Sequence, residues 1–287
     1  MFRSGRQASG GGVSSAFKMR LILALVLALF AVISYYGKPG DVNEVTGETQ
    51  RVALTEEADE VQLGLQAAQE MVGMHGGPSR DFAAQQRVER VGESLLDALD
   101  KDLAAHQHHN PYREAFQFTL LSDQDTVNAF ALPGGLVFIT EGLFAALETE
   151  GQLAGVLGHE IGHVLSRHGN QQMAKQGLLQ GLAGAVGVLG GDAQSARMAQ
   201  MVGAVIGMKY GRDHELESDK WGIKLTTLAG YDPRAMVGLM KVLESAGGGG
   251  GQPEFFSTHP NPENRIEKIQ EEIAKEFPQG LPPGLKP

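Results

Sequence analysis

The segment Leu157–Gln171 reads LGHEIGHVLSRHGNQ, with His159 and His163 four residues apart and Glu160 beside the first. On an α-helix four residues return to nearly the same face, about 40° off, so both imidazoles can reach one ion. Glu160 is offset around the helix and cannot easily join that face, but it can reach a water bound to the ion. This is the mechanical content of His-Glu-x-x-His. Ile161, Val164 and Leu165 make the helix apolar and therefore buried. Gly158 and Gly162 each cost about 1 kcal/mol against alanine, which is tolerable where another element must pack closely.

A catalytic zinc takes three protein ligands and a water, so a third group is required. The chain has no cysteine, so any metal must be held by histidine and carboxylate. The same absence excludes disulfides, iron–sulfur clusters, a cysteine nucleophile and the deformylase version of His-Glu-x-x-His, which needs a thiolate. His168 lies five residues beyond His163, about 140° around a continuous helix, and is expected to face away. The better candidates lie in Arg212-Asp-His-Glu-Leu-Glu-Ser-Asp219, where Glu215 and Asp219 again share a face. One carboxylate can bind the metal while the other accepts a hydrogen bond from a ligand imidazole and fixes its tautomer. His214 is a lesser competitor, and Glu217 is expected to point elsewhere.

Zinc in such a site polarises a scissile carbonyl and lowers the pKa of its water to about 7. Glu160 can take that water's proton and deliver it to a leaving amine. Ser257-Thr-His-Pro-Asn-Pro-Glu-Asn-Arg265 adds His259 in a rigid turn, as an oxyanion donor or a reversible extra ligand.

The remaining pattern describes what holds these groups. Leu54 to Leu99 reads as two helices broken at Gly76-Gly77-Pro78. Phe116–Leu121 and Leu136–Thr140 read as strands, joined through Asn128-Ala-Phe-Ala-Leu-Pro-Gly-Gly, in which Pro133 belongs at a sheet edge and Gly134 and Gly135 permit close backbone approach. Helical patterns follow over 141–148, 152–167, 212–228 and 262–277, with a helical hairpin over 176–208. His106, His108 and His109 read as a polar loop. Net charge is −10 with no basic block, which argues against a nucleic-acid partner. At the N-terminus, Arg3, Arg6, Lys18 and Arg20 precede an apolar run from Leu21 to Ile33 and the aromatics Tyr35 and Tyr36; the first acid is Asp41. That arrangement predicts a single membrane anchor with the main domain outside. Ser34-Tyr-Tyr-Gly is a poor cleavage site, which favours an uncleaved anchor over a cleaved signal or a transit peptide.

His159-Glu-Ile-Gly-His163 with its following His168, the Asn128–Gly135 segment, Glu215-x-x-x-Asp219 and Ser-Thr-His-Pro together resemble the zinc metallopeptidases of the HtpX and CaaX-endopeptidase superfamily, in particular its BepA, LoiP and mitochondrial Oma branch. The resemblance implies a mainly α gluzincin fold with a small β-sheet, one Zn2+ on His159, His163 and Glu215, Glu160 as base, and Asp219 behind a ligand. It further implies a sheet edge, with Asn128, Ala129, Phe130, Gly134 and Gly135, that pairs with extended substrate, and His259 as a gate over the metal. The expected organisation is a basic segment (1–20), a transmembrane signal anchor (21–37), a linker (38–53), the metallopeptidase domain (54–277) and a tail (278–287). The expected function is cleavage of unfolded or misassembled envelope proteins from the periplasmic face of an inner membrane, or of its mitochondrial counterpart. The alternative is a protease-like chaperone or assembly factor that binds extended chains and rarely cuts.

Overall fold

The computed structural model describes residues 14–37, 39–190, 210–246, 253–261 and 264–287. They fall into two units, one of Met1–Pro39 with Lys175–Gly207 and one of Gly40–Ala174 with Met208–Pro287. In the smaller unit helix α1 (Ser15–Tyr36) begins six residues before the apolar run, because the Ser14 hydroxyl caps it by accepting from the Phe17 N–H at 3.2 Å. Its mean hydropathy over an 18-residue window is 2.4, with 11% of that window buried, so it is long and apolar enough to cross a membrane. Ala31 of α1 lies where a Cβ on Gly181 would come within 2.6 Å, so small side chains let two helices of this unit touch. The second half of the helical hairpin expected over 176–208 and the loop at 247–251 lie outside the described residues.

The larger unit is built on a three-stranded sheet of β3 (Gln117–Leu121), β5 (Leu136–Thr140) and β4 (Ala129–Leu132), in that order, with β5 central. Strand β5 runs parallel to β3 and antiparallel to β4, with Phe130 opposite Phe138 and Ala131 opposite Val137. Successive side chains of β5 alternate between two apolar layers. Leu136 and Phe138 join Leu121 and Phe130 against Ala68, Met71 and Val72 of helix α2 (Glu57–Met74). Val137 and Ile139 face the main core with helix α3 (Phe82–Ala105). The break at Gly76-Gly77 is real, since both glycines adopt positive φ. The two residues before the loop histidines end α3, and His106, His108 and His109 are exposed.

Helix α4 (Glu141–Ala146) leads to α5 (Glu150–Leu165), which carries His159 and His163 and is buried at every position from Gly151 on. A helix buried on all sides needs partners that come close. Helix α7 (Arg212–Leu228) supplies one: a Cβ on Gly158 would lie 3.2 Å from Gly222 Cα, and one on Gly162 would lie 2.7 Å from Trp221 Cβ. Helix α8 (Ala235–Ala246) packs its Met236 against Gly155. The short α9 (Phe255–Thr258) and α10 (Arg265–Glu276) close the unit.

After Leu165 the chain does not continue as one helix. Arg167 has φ 53, and helix α6 (His168–Gly190) starts immediately beyond it. This break is tied down from residues expected to be a free linker. Strands β1 (Asp41–Val42) and β2 (Thr49–Gln50) form a hairpin, and the Asn43 side-chain amide donates to Leu165 O at 2.7 Å. Asn170 accepts from the Ala53 and Leu54 N–H groups at 2.8 and 2.9 Å. Thus the larger unit takes in residues 41–54, which are tied to the helix break through Leu165, Arg167 and Asn170. Arg167 is 5% exposed and donates through Nε to Glu60 at 2.7 Å and through Nη2 to Leu54 O at 2.8 Å, while Nη1 pairs with Asp41. Tyr112 adds its hydroxyl to Glu60 at 3.0 Å.

Removing one partner of a buried pair leaves the other uncompensated, so Arg167→Ala is expected to lower stability by about 3–5 kcal/mol. Burial already raises the Glu60 pKa despite Arg167, and loss of that cation raises it further. The folded variant then binds more protons than the unfolded chain, so its stability falls as pH rises above the ordinary carboxylate range. Urea unfolding should show a larger deficit at about pH 8 than at about pH 5; a pH-independent deficit would contradict this account.

Candidate metal centre

The close approach of α5 and α7 brings two imidazoles and a carboxylate to a common point. His159 Nε2 and His163 Nε2 lie 3.1 Å apart, and each lies 3.5 Å from a Glu215 oxygen. Ligands at about 2.0–2.2 Å in a tetrahedron are about 3.3–3.5 Å from one another, so these spacings suit a zinc-sized ion. His259 completes the group: its Nδ1 is 3.2 Å from Glu215 Oε1, and one donor atom from each of His159, His163, Glu215 and His259 falls within 4.8 Å of the others. All four side chains are buried.

The second test is the state of the polar atoms. Both oxygens of Glu160, Oε2 of Glu215 and Nε2 of His259 are buried without a hydrogen-bond partner. Orphaned polar atoms are rare in native interiors, and here they converge, with His259 Nε2 3.7 Å from Glu160 Oε1. A cation with a polarised water would satisfy them together, so the residues fit a metal.

Each ligand is held from behind. Asp219 Oδ1 is 3.0 Å from His159 Nδ1, which directs Nε2 toward the ion. Arg265, 2% exposed at the start of α10, grips Asp219 through Nε at 2.8 Å and Nη2 at 2.7 Å, and its Nη1 lies 3.3 Å from Glu215 Oε2. His163 stacks on Tyr210, with ring centroids 4.2 Å apart, and His259 stacks on Phe255 at 4.4 Å.

His168 lies outside the donor group, as expected, but not through rotation around one continuous helix. The break at Arg167 folds it back so that its Nδ1 is 2.9 Å from His163 Nδ1. Glu217, expected to point elsewhere, lies 3.1 Å from His168 Nε2. The expected sheet-edge residues are not part of the cluster. Asn128 is buried and donates to Glu254 at 3.0 Å, Ala129 faces the main core, and Phe130 stacks on Phe138 at 5.1 Å. Gly134 and Gly135 have positive φ, and a Cβ there would meet Val61 Cα at 2.4 Å and Phe116 Cα at 3.2 Å. Their close approaches are therefore to the chain's own backbone. β4 is an end strand of the sheet, and its Ala131 N–H is directed at Glu160.

Electrostatics divide the groups by role. Burial lowers His163 far below the ordinary value, and neighbouring histidines push it further, which keeps the ring neutral as a metal ligand would have to be. Burial would also lower His159, but hydrogen bonds and charge from Asp219 and Glu215 raise it to about 9. Burial would raise Glu215 and Asp219, yet both are lowered, Glu215 by His259 and His159 and Asp219 by Arg265 and His159. Glu160 goes the other way: burial raises it, against His259, His159 and the backbone N–H of Ala131 on β4. A carboxyl shifted upward beside a metal position is suited to proton transfer near neutrality.

Residues 83–273 match the model of Peptidase family M48 over more than half the chain. The chain belongs to peptidase family M48. Among its relatives, the β-barrel assembly-enhancing protease of Escherichia coli K12 is 37% identical over 169 residues, covering 55% of this chain and 34% of that protein. The mitochondrial metalloendopeptidase OMA1 of Schizosaccharomyces pombe is 36% identical over 150 residues, covering 51% of this chain and 43% of the relative. The metalloprotease YcaL of Escherichia coli K12 is 31% identical over 151 residues, covering 52% and 59% respectively. The chain thus spans about a third of the length of the first relative.

Arg265, Tyr210 and the pair His168–Glu217 were not assigned to the site by sequence reasoning. Arg265 left a signal: Arg265, Ile269 and Ile273 fall four apart and are the buried face of an otherwise charged helix. Tyr210 left none. Because a metal must displace the proton that carboxylates hold on His159, apparent zinc affinity should climb with pH until about 9 and flatten above it. Chelator competition across pH measures this; an affinity flat below that pH would contradict the assignment of His159.

Proposed function

We propose that this M48 chain is a zinc-dependent endopeptidase, anchored in a membrane through α1, that cleaves unfolded or misassembled envelope proteins. The observation that carries the reading is the convergence of the buried side chains of His159, His163 and Glu215, with Glu160 buried beside them. The relatives' names, a β-barrel assembly-enhancing protease and a mitochondrial metalloendopeptidase, support protein cleavage; we place the chain at the periplasmic side of an inner membrane or its mitochondrial equivalent as part of the same proposal.

In this reading His159, His163 and Glu215 hold the zinc, which when bound polarises the scissile carbonyl and acidifies a water. Glu160 accepts the water's proton on a carboxylate oxygen and returns it to the leaving amine. Asp219, pinned by Arg265, keeps His159 in the tautomer that offers Nε2. An extended substrate pairs with the edge of β4 (129–132), which passes the Glu160 carboxylate at Ala131, so main-chain pairing and proton transfer meet at one place. His259 is fully buried against Glu215 and Glu160, and it must withdraw before a substrate carbonyl can reach the metal. That same burial is what favours the second reading, a chain-binding assembly factor that cuts rarely.

Glu160→Gln is expected to keep stoichiometric zinc while cleavage of an unfolded reporter protein drops by roughly a hundred- to ten-thousand-fold. His259→Ala is expected to cleave faster than the parent. Undiminished proteolysis by Glu160→Gln would overturn the mechanism, and parent and His259→Ala proteins that both bind but never cut would favour the assembly factor.

A further inference from the structure

The mechanism above gives His163 a stacking contact with Tyr210 but no hydrogen-bonded partner that fixes its tautomer. Asp219 serves His159 alone. Behind His163 lies a second chain of groups: His163 Nδ1 to His168 Nδ1 at 2.9 Å, and His168 Nε2 to Glu217 Oε2 at 3.1 Å. Glu217 is itself fixed by the Ser166 hydroxyl, which donates to Oε1 at 2.6 Å. The His168 ring is fully buried and stacks on His214, with centroids 4.2 Å apart and planes 15° apart.

The protons in this chain have only one consistent arrangement that leaves a ligand. A carboxylate has lone pairs and no donor, so His168 must carry its proton on Nε2. A neutral imidazole then has a bare Nδ1, which can only accept. The short contact to His163 Nδ1 therefore requires the proton on that nitrogen, which leaves His163 Nε2 bare and aimed at Glu215 and His159. The Ser218 hydroxyl, 3.3 Å from His168 Nδ1, is a rotor that can donate to the same lone pair and does not alter the order.

We propose that Glu217 and His168 form a relay of positioning residues that fixes the tautomer and ring angle of His163, as Asp219 does for His159. The centre is then braced on both imidazoles, by a carboxylate directly on one side and by a carboxylate through an intervening imidazole on the other. Two features of the fold exist to make this possible. The left-handed turn at Arg167 brings His168 back beside its neighbour in sequence, and Glu217 comes from the same helix, α7, as Glu215 and Asp219. Neither His168 nor Glu217 is within the donor group for the ion, so neither needs to touch substrate or metal to act.

This inference rests on the metal reading of the site, and the test separates the two. Zinc affinity of the full chain, measured by chelator competition, is compared for parent, Glu217→Ala, His168→Phe and the double variant, with apo-protein thermal unfolding beside it. Both single variants should bind zinc about 10–100-fold more weakly than the parent. The cobalt-substituted proteins should also show altered ligand-field bands. Because Glu217 acts through His168, its removal from the His168→Phe protein should cause no further loss. Should His168→Phe fail to fold, Glu217→Ala decides by the same affinity and spectral criteria. Affinities within about twofold of the parent, or losses that add in the double variant, would overturn the relay. A parent chain that binds no zinc would overturn the metal centre itself.

Discussion

Everything in the larger unit depends on the contact between α5 and α7 at Gly158 and Gly162. A side chain at either glycine would push the helices apart, and a shift of even an ångström would separate imidazoles from carboxylates that now lie 3.5 Å apart. Interiors pack near crystal density, so such a shift has nowhere to be absorbed. The glycines weaken α5 as an isolated helix, but burial of the whole helix supplies the compensating stability.

The second constraint is charge. Glu60, Glu160, Glu215 and Asp219 are all buried, and each would be strongly unfavourable alone. Glu60 is answered by Arg167 and Asp219 by Arg265, so two arginines stabilise the two ends of the site. Burial moves the pKa of Glu160 up, as it does that of Glu60 despite Arg167, while Arg265 and His159 move that of Asp219 down.

How much of this was legible beforehand follows the range of the interactions. The helix break at Gly76-Gly77, the strands about Phe118 and Phe138, and the paired spacing of His159 with His163 and Glu215 with Asp219 are local patterns, and periodicity exposes them. The role of Arg167 and the docking of the hairpin at 41–50 on Leu165 depend on contacts more than a hundred residues apart, for which spacing carries no information. His168 shows why a correct local rule can mislead. The angle of about 140° holds for an uninterrupted helix, and one residue at φ 53 replaces rotation about an axis with a turn of the chain. Gly134 and Gly135 were recognised as sites of close approach, but the approaching backbone belongs to Val61 and Phe116.

The central claim is that imidazole and carboxylate groups from α5 and α7 form one metal site. X-ray absorption at the zinc edge of the purified full chain tests it most directly. The account predicts one zinc per chain, a nitrogen and oxygen shell at about 2.0–2.2 Å, no sulfur, and multiple scattering from at least two imidazoles. A stoichiometry well below one, or a shell with fewer than two imidazoles, would contradict it.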